Sequence, residues 1–100
     1  MYVTIWKFVV KQARQQEFER IYGPDGDWVR LFRSAPGYLG TELLRETGSA
    51  GVYLTLDHWA SEEAFRSFRA QFGSAYTEMD ERCQDLTTSE EEIGRFEPRR

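Results

Sequence analysis

Two side chains of this sequence are able to do chemistry near neutral pH, and each occurs once. His58 is the only histidine, and an imidazole titrates close to physiological pH. Cys83 is the only cysteine, so no disulfide can form within the chain. His58 is therefore the candidate general base, and a position on the surface or in an interface is its alternative.

The sequence lacks the residue patterns that usually bind metals and cofactors. One histidine and one cysteine do not supply the ligands of a zinc site. Asp25 and Asp27 flank a glycine, but their spacing lacks the other oxygen ligands of a calcium loop, which predicts a turn. No phosphate-binding loop, Ser-His-Asp pattern or flavin motif is present. We therefore expect neither a metal nor a cofactor.

Aromatic residues form 15% of the chain and predict a pocket for a flat molecule. An ionised phenol reacts with oxygen directly, so a protein need only bind it, assist deprotonation and exclude water. Arg69 is the candidate to stabilise an oxyanion, although its side chain could instead lie along the apolar helix surface. Trp59 could be catalytic or a core residue, and Trp6 could line the pocket or a dimer interface. The candidate substrate-binding residues are Trp6, Tyr38, Tyr53, Phe65 and Phe68.

Charge and hydropathy exclude several classes of partner. The 13 Lys and Arg residues are scattered among 17 Asp and Glu residues, for a net charge of −4, which disfavours nucleic acids and anionic membranes. No apolar run approaches the roughly 20 residues of a membrane span. Residues 1–10 have no basic leader or cleavage site and are typical of a strand. Together with the single cysteine, this predicts a cytoplasmic protein.

The order of the predicted elements indicates one α+β domain over residues 1–100. The run Tyr2–Val10 is apolar on both faces, so we expect it to be covered on both sides of a sheet. The helix after Ser61 has one apolar stripe, and Gly73-Ser74 should kink or divide it. The other predicted elements are helices over 12–22 and from Asp27 to Ala35, and strands over 38–46, 52–59 and 91–97. This order is that of a ferredoxin-like fold, a four-stranded antiparallel sheet with helices on one face.

Three stretches carry a family resemblance. They are Val3-Thr4-Ile5-Trp6-Lys7-Phe8, then Pro36-Gly37-Tyr38-Leu39-Gly40-Thr41-Glu42-Leu43-Leu44, then Trp59-Ala60-Ser61-Glu62-Glu63-Ala64-Phe65. Together they resemble the antibiotic biosynthesis monooxygenase family of the dimeric α/β-barrel superfamily. The segment 22–28 is longer than the simplest members of the family need.

The resemblance implies a homodimer in which two sheets meet face to face, with the helices outside. It also implies one of two activities, cofactor-free oxidation of phenolic polycycles or haem degradation. The haem branch expects an asparagine near Trp6 and a haem-ligating histidine near Arg69, and an arginine does not ligate iron as imidazole does. We therefore expect a cofactor-independent monooxygenase-like protein acting on an aromatic or polyketide-like substrate. The alternatives are a non-catalytic ligand-binding or interaction domain, and an isomerase or cyclase, on the same scaffold.

Overall fold

A four-stranded antiparallel sheet forms the centre of the computed structural model, which describes residues 1–99. The strands are β1 (Tyr2–Val10), β2 (Tyr38–Arg45), β3 (Val52–Trp59) and β4 (Thr87–Phe96). The helices are α1 (Gln15–Tyr22), α2 (Asp27–Phe32), α3 (Glu62–Gln71) and α4 (Gly73–Cys83), with single 3-10 turns at Gln12–Arg14 and Gln84–Leu86. The strand order β2-β3-β1-β4, with the helices on one face, confirms the predicted ferredoxin-like fold.

The helices cover the face of β1 that carries Tyr2, Phe8 and Val10, all of which are buried. The Phe8 ring packs on Phe18 of α1 at 5.3 Å between centroids. Successive strand residues point to opposite faces, so Val3, Ile5, Lys7 and Val9 lie on the sheet face without helices. We call this second surface the open face. It also carries Leu44 and Phe96, which are 44% and 45% exposed.

Trp59 at the end of β3 is the centre of the core beneath the helices and is fully buried. Its ring lies 5.6 Å from Phe32 of α2, 5.6 Å from Phe65 and 5.3 Å from Phe68 of α3. Aromatic pairs at such distances stabilise a fold by about 0.5–1.5 kcal/mol each beyond the burial of their area. The Trp59 cluster therefore fixes α2 and α3 against the sheet.

The connection between α3 and α4 agrees with its sequence. Ser61 caps α3, because the backbone N–H of Ala64 donates to Ser61 Oγ at 3.1 Å. The predicted division of the long helix occurs at Phe72, directly before Gly73. The two helices pack on the same core because Phe68 and Met79 are both buried there.

The last strand differs from its prediction, since β4 begins at Thr87 and not at Glu91. Its acidic residues have low strand propensity, but they pair with β1, with register shifts between Ile5 and Trp6 and between Val9 and Val10. In that register Lys7 stands opposite Glu91, which places opposite charges beside each other on the open face. Pairing with β1 therefore overrides the local preference of the acidic run.

Glycine is required at the turn between α1 and α2. A Cβ atom on Gly26 would lie 2.2 Å from the carbonyl oxygen of Ile21, which is closer than any side chain tolerates. The tight turn brings Trp28 back against the sheet side of the helices, where it is 7% exposed. The segment 22–28 thus adds an indole ring to the interior.

Candidate functional site

A cavity lies between the helices and the sheet, and its walls come from all four strands and from α1, α2 and α4. Its volume is about 50 Å³, compared with the roughly 10–15 Å³ that one water needs. Six of its lining residues are aromatic: Trp6, Phe8, Tyr22, Trp28, Phe32 and Tyr76. Such walls are typical of sites for flat organic ligands.

Asp57 provides the acid-base group of this cavity. It follows Thr55 on the helix-facing side of β3, and both residues line the cavity. The hydroxyl of Thr41 on β2 donates to Asp57 Oδ1 at 2.6 Å. Because Thr41 has only one hydroxyl hydrogen, the Tyr38 hydroxyl is the donor in its 2.7 Å contact with Thr41 Oγ1. A chain of two hydrogen bonds therefore holds Asp57 in one orientation.

Burial raises the pKa of Asp57 to about 6, although the Thr41 hydrogen bond and the nearby His58 act in the opposite direction. Removing a carboxylate from water disfavours its charged form, which is the dominant cause here. A carboxyl group with a pKa of about 6 is mostly ionised at neutral pH and is a stronger base than an ordinary aspartate. Asp57 thus has the properties of a general base at the floor of an aromatic cavity.

Two further carboxyl groups line the cavity, Asp80 on α4 and Glu90 on β4. Burial raises the pKa of Glu90, and repulsion from Asp80 raises it further. The pKa of the Tyr76 hydroxyl is also raised, first by burial and then by Asp80, Asp57 and Glu90, while Arg69 lowers it. Asp80 therefore acts on Glu90, and all three carboxyl groups act on the Tyr76 hydroxyl.

The predicted substrate-binding residues lie in the cavity wall, in the hydrogen-bond chain to Asp57, or in the core. Trp6 lines the cavity. Tyr38 holds Thr41, which in turn holds Asp57. Tyr53, Phe65 and Phe68 are buried in the core and are not among the lining residues. Trp59, the predicted catalytic tryptophan, is buried with them. Their roles toward a substrate stay predictions.

His58 lies on the open face, opposite the cavity. Its Nε2 atom is 2.8 Å from Glu42 Oε1 of β2. Arg69 lies on α3 with its guanidinium carbon 4.2 Å from the centre of the Tyr76 ring, so its charge rests on an aromatic face. These two of the three predicted catalytic residues are therefore not brought together, and neither lines the cavity. Their catalytic roles also stay predictions.

Sequence reasoning missed Asp57 and Trp28, and it also missed the cavity residues Thr41, Tyr76, Asp80 and Glu90. Strand alternation contains the signal for Asp57, because it puts a charged residue on the same face as Thr55 and Trp59. Trp28 is the last residue of the segment 22–28, whose extra length had no assigned role. Its indole nitrogen is buried without a hydrogen-bond partner among residues 1–99.

No group of three or more histidine, cysteine, aspartate or glutamate side chains within residues 1–99 is arranged to hold a metal ion. In the same part of the chain, no helix is both long and apolar enough to cross a membrane.

Solved structures resemble this chain over almost its whole length. SnoaB from Streptomyces nogalater, a cofactor-independent oxygenase, is 27% identical with a TM-score of 0.74, and the match covers 99% of this chain and 93% of SnoaB. MhuD from Mycobacterium tuberculosis, a haem degrader, is 24% identical with a TM-score of 0.71, over 98% of this chain and 95% of MhuD. A candidate antibiotic biosynthesis monooxygenase of Deinococcus radiodurans is 15% identical with a TM-score of 0.77, over 100% and 94% of the two chains.

The likeness to MhuD and to the Deinococcus protein concerns the fold alone. A search of the curated proteins found no relative. The model of one family, described as antibiotic biosynthesis monooxygenase, matches residues 1–77, a segment that runs from β1 into α4 and includes Asp57 and Trp59. This chain therefore belongs to the antibiotic biosynthesis monooxygenase family.

Proposed function

We propose that this protein is a small cofactor-independent monooxygenase that acts on an aromatic or polyketide-like substrate, with Asp57 as the general base. The observation that carries the proposal is the position of Asp57 in an aromatic cavity, with a pKa of about 6. SnoaB, which is 27% identical, is a cofactor-independent oxygenase and supports the same reaction class.

In the proposed reaction the substrate supplies the electrons. Asp57 removes a proton from an acidic O–H or C–H group attached to the aromatic system, and the resulting electron-rich ring reduces molecular oxygen. One oxygen atom forms a new C=O bond at a ring carbon. The other leaves as water with the two hydrogens lost from the substrate. The equation is substrate-H2 plus O2 giving oxidised substrate plus water, and it needs no external reductant.

The surroundings of Asp57 suit this role. Thr41 fixes one carboxyl oxygen, and no protein hydrogen bond from residues 1–99 reaches the other, Oδ2, so that it can accept a proton. The walls formed by Trp6, Trp28 and Phe32 hold a flat ring and exclude water, which strengthens the base. Haem chemistry is less well supported, since Arg69 near the expected histidine position rests on Tyr76 and does not line the cavity.

Oxygen uptake with a panel of anthrones and hydroquinones tests the proposal. Replacing Asp57 by asparagine keeps the size of the side chain but removes the base, and we expect kcat to fall by about 10²–10⁴-fold. Glu46→Gln, in the exposed turn after β2, is the matched control for the loss of one charge. Absence of protein-dependent oxygen consumption across the panel would count against the whole proposal.

His58→Asn compares the two candidate bases directly. A larger loss of kcat in this variant than in Asp57→Asn would favour His58 and remove Asp57 from the base role. We expect the reverse order, because His58 faces away from the cavity.

The size of the cavity favours one alternative. At about 50 Å³ it is smaller than a polycyclic substrate in the structure as it stands, which suits a protein that binds a smaller ligand without oxidising it. An isomerase or cyclase would use the same base, Asp57, without oxygen. Conversion of a ligand under nitrogen would identify such an enzyme, and binding without any conversion would identify the non-catalytic form.

We further propose that the protein is a cytoplasmic homodimer joined through the open face. Exposed Leu44 and Phe96 support the interface, since monomers rarely leave a broad apolar sheet face in water. The family resemblance supports the same arrangement. The buried free thiol of Cys83 is compatible with a reducing compartment.

A further inference from the structure

We propose that the cavity binds a single-ring aromatic ligand that carries a protonated amine. This inference deepens the proposed function, on which it rests for the use of the cavity as the substrate site. It comes from the charge, the wall chemistry and the volume of the cavity.

The charge of the cavity is negative and is not compensated by the protein. Asp57, Asp80 and Glu90 are its only ionisable residues apart from tyrosines, and no lysine, arginine or histidine of residues 1–99 lines it. None of the three carboxyl groups forms a salt bridge within that part of the chain. Asp57 and Asp80 are partly buried, and carboxylates withdrawn from water normally have a cationic partner, so a bound cation would complete this site.

The aromatic rings add a second attraction for a cation. Trp28 stands at the centre of the wall, with its ring 5.1 Å from Tyr76, 6.0 Å from Tyr22 and 5.9 Å from Phe32. The faces of such rings carry negative potential and attract ammonium groups, and indole does so most strongly. Carboxylates and ring faces thus favour the same charge, whereas neither favours an anionic ligand.

The volume limits the rest of the ligand. A cavity of roughly 150 Å³ accommodates one benzene ring, and this cavity measures about 50 Å³. A single ring therefore already requires some movement of the cavity wall, and a polycyclic ligand would require much more. Glu90 is an exposed residue on an edge strand, and its side chain can move at the cavity wall.

A positive charge on the ligand also resolves an electrostatic difficulty in the proposed reaction. Removal of a proton from a neutral phenol would create an anion among three carboxyl groups. Arg69 lies outside the cavity, and its charge is engaged on the ring of Tyr76. A phenol that also carries a protonated amine has no net charge after its hydroxyl proton has passed to Asp57, because the amine keeps its own positive charge. The amine then lies near Asp80 and Glu90, and the acidic group lies near Asp57.

Three catechols with two carbons between the ring and the polar group test the inference: 3,4-dihydroxyphenethylamine, the corresponding alcohol, and 3,4-dihydroxyphenylpropionate. Binding is measured by titration calorimetry without oxygen, so that oxidation does not interfere. We expect the amine to bind at least about tenfold more tightly than the alcohol, and the carboxylate to bind most weakly. Equal affinities, tighter binding of the carboxylate, or no binding of any of the three would overturn the inference.

Glu90→Gln locates the effect within the cavity. We expect this variant to reduce the preference for the amine severalfold, because it removes one of the unpaired carboxylates. Glu91→Gln is the matched control, since the adjacent residue stands opposite Lys7 on the open face. If both variants prefer the amine as strongly as the parent does, the amine is attracted only by the net charge of −4. That result would overturn the proposed amine site.

Oxygen uptake with the same ligands separates this inference from the proposed function. Selective binding of the amine without oxygen uptake would support the ligand class and count against the oxygenase. Oxygen uptake with equal kcat/KM for amine and alcohol would support the oxygenase and overturn the ligand class.

Discussion

The hydroxyl oxygen of Thr41 lies 2.6 Å from Asp57 Oδ1, across the boundary between β2 and β3. The two residues are direct partners in the register of these strands, so the sheet itself sets the contact. Bonds of this length are typical of a hydroxyl that donates to an ionised carboxylate. Thr41 is therefore a positioning residue, which stabilises the basic form of Asp57 and fixes its direction.

Removal of this hydroxyl should change the pH dependence of the reaction. In Thr41→Val, Asp57 loses the hydrogen bond that lowers its pKa, so we expect the midpoint of the pH–kcat/KM profile to rise by about 0.5–1 unit. Thr41→Ser retains a hydroxyl and should restore the parent midpoint. An unchanged midpoint in Thr41→Val would remove Thr41 from this role.

In the parent protein, kcat/KM should rise with pH and level off above a pH of about 6, because the base must be ionised to accept a proton. The slope should vanish in Asp57→Asn, whose residual activity has no titrating base. Steady-state rates between pH 4.5 and 8.5 measure both profiles. If the rise of kcat/KM with pH persists in Asp57→Asn and disappears in His58→Asn, the pH dependence belongs to His58.

Asp57 should also lower the stability of the protein at neutral pH. Its pKa rises from 3.8 in the ordinary state to about 6 in the fold, so the folded protein binds more protons than the unfolded chain between these values. The free energy of unfolding therefore falls as pH rises through this window, by at most about 3 kcal/mol. Asp57→Asn should be more stable than the parent at pH 7.5, and the gain should disappear near pH 3.5.

Urea unfolding of both proteins at the two pH values measures this difference. Asp85→Asn is a control of opposite sign, because Lys11 and Arg14 donate to Asp85 and lower its pKa. That variant should lose stability at pH 7.5. Equal stability of Asp57→Asn and the parent at pH 7.5 would show that the carboxyl group is better solvated than the cavity indicates.

We expect replacement of Trp59 to reduce the free energy of unfolding, because its main role is in the core. Trp59→Ala removes the ring that packs on Phe32, Phe65 and Phe68, and we expect the free energy of unfolding to fall by about 3–5 kcal/mol. Trp59→Phe retains part of that packing and should cost less. Thermal melts distinguish the two variants. A Trp59→Ala protein that keeps the parent Tm but loses turnover would instead support a catalytic role.

The open face should hold two copies of the chain together. The monomer mass is 11.8 kDa, so sedimentation equilibrium should give twice that value, 23.6 kDa, for a dimer. Leu56→Lys places a charge on the middle of this face, beside Ile5, and should yield the monomer. Gln16→Lys, on the exposed side of α1, is the matched control and should remain dimeric. A parent protein of 11.8 kDa at micromolar concentration would overturn the dimer.

Local patterns in the sequence determined most of the architecture. The apolar run Tyr2–Val10 indicated a strand, and β1 spans the same residues. The capping serine Ser61 and the Gly73-Ser74 pair marked the start of α3 and the division from α4. These signals depend on backbone geometry and on the spacing of apolar residues, which a linear sequence displays directly. The beginning of β4 depended on its pairing with β1, which local propensity does not contain.

The candidate site was decided by tertiary structure. The sequence showed that neighbours such as Asp57 and His58 lie on opposite faces of a strand, but alternation does not say which face the helices cover. Packing of α2 and α4 over the Asp57 face created the cavity and left His58 beside Glu42 on the open face. That packing also desolvates Asp57, and desolvation depends on atoms far apart in the sequence. The chemistry therefore follows from which face of β3 is buried, and the sequence alone determined only the alternation.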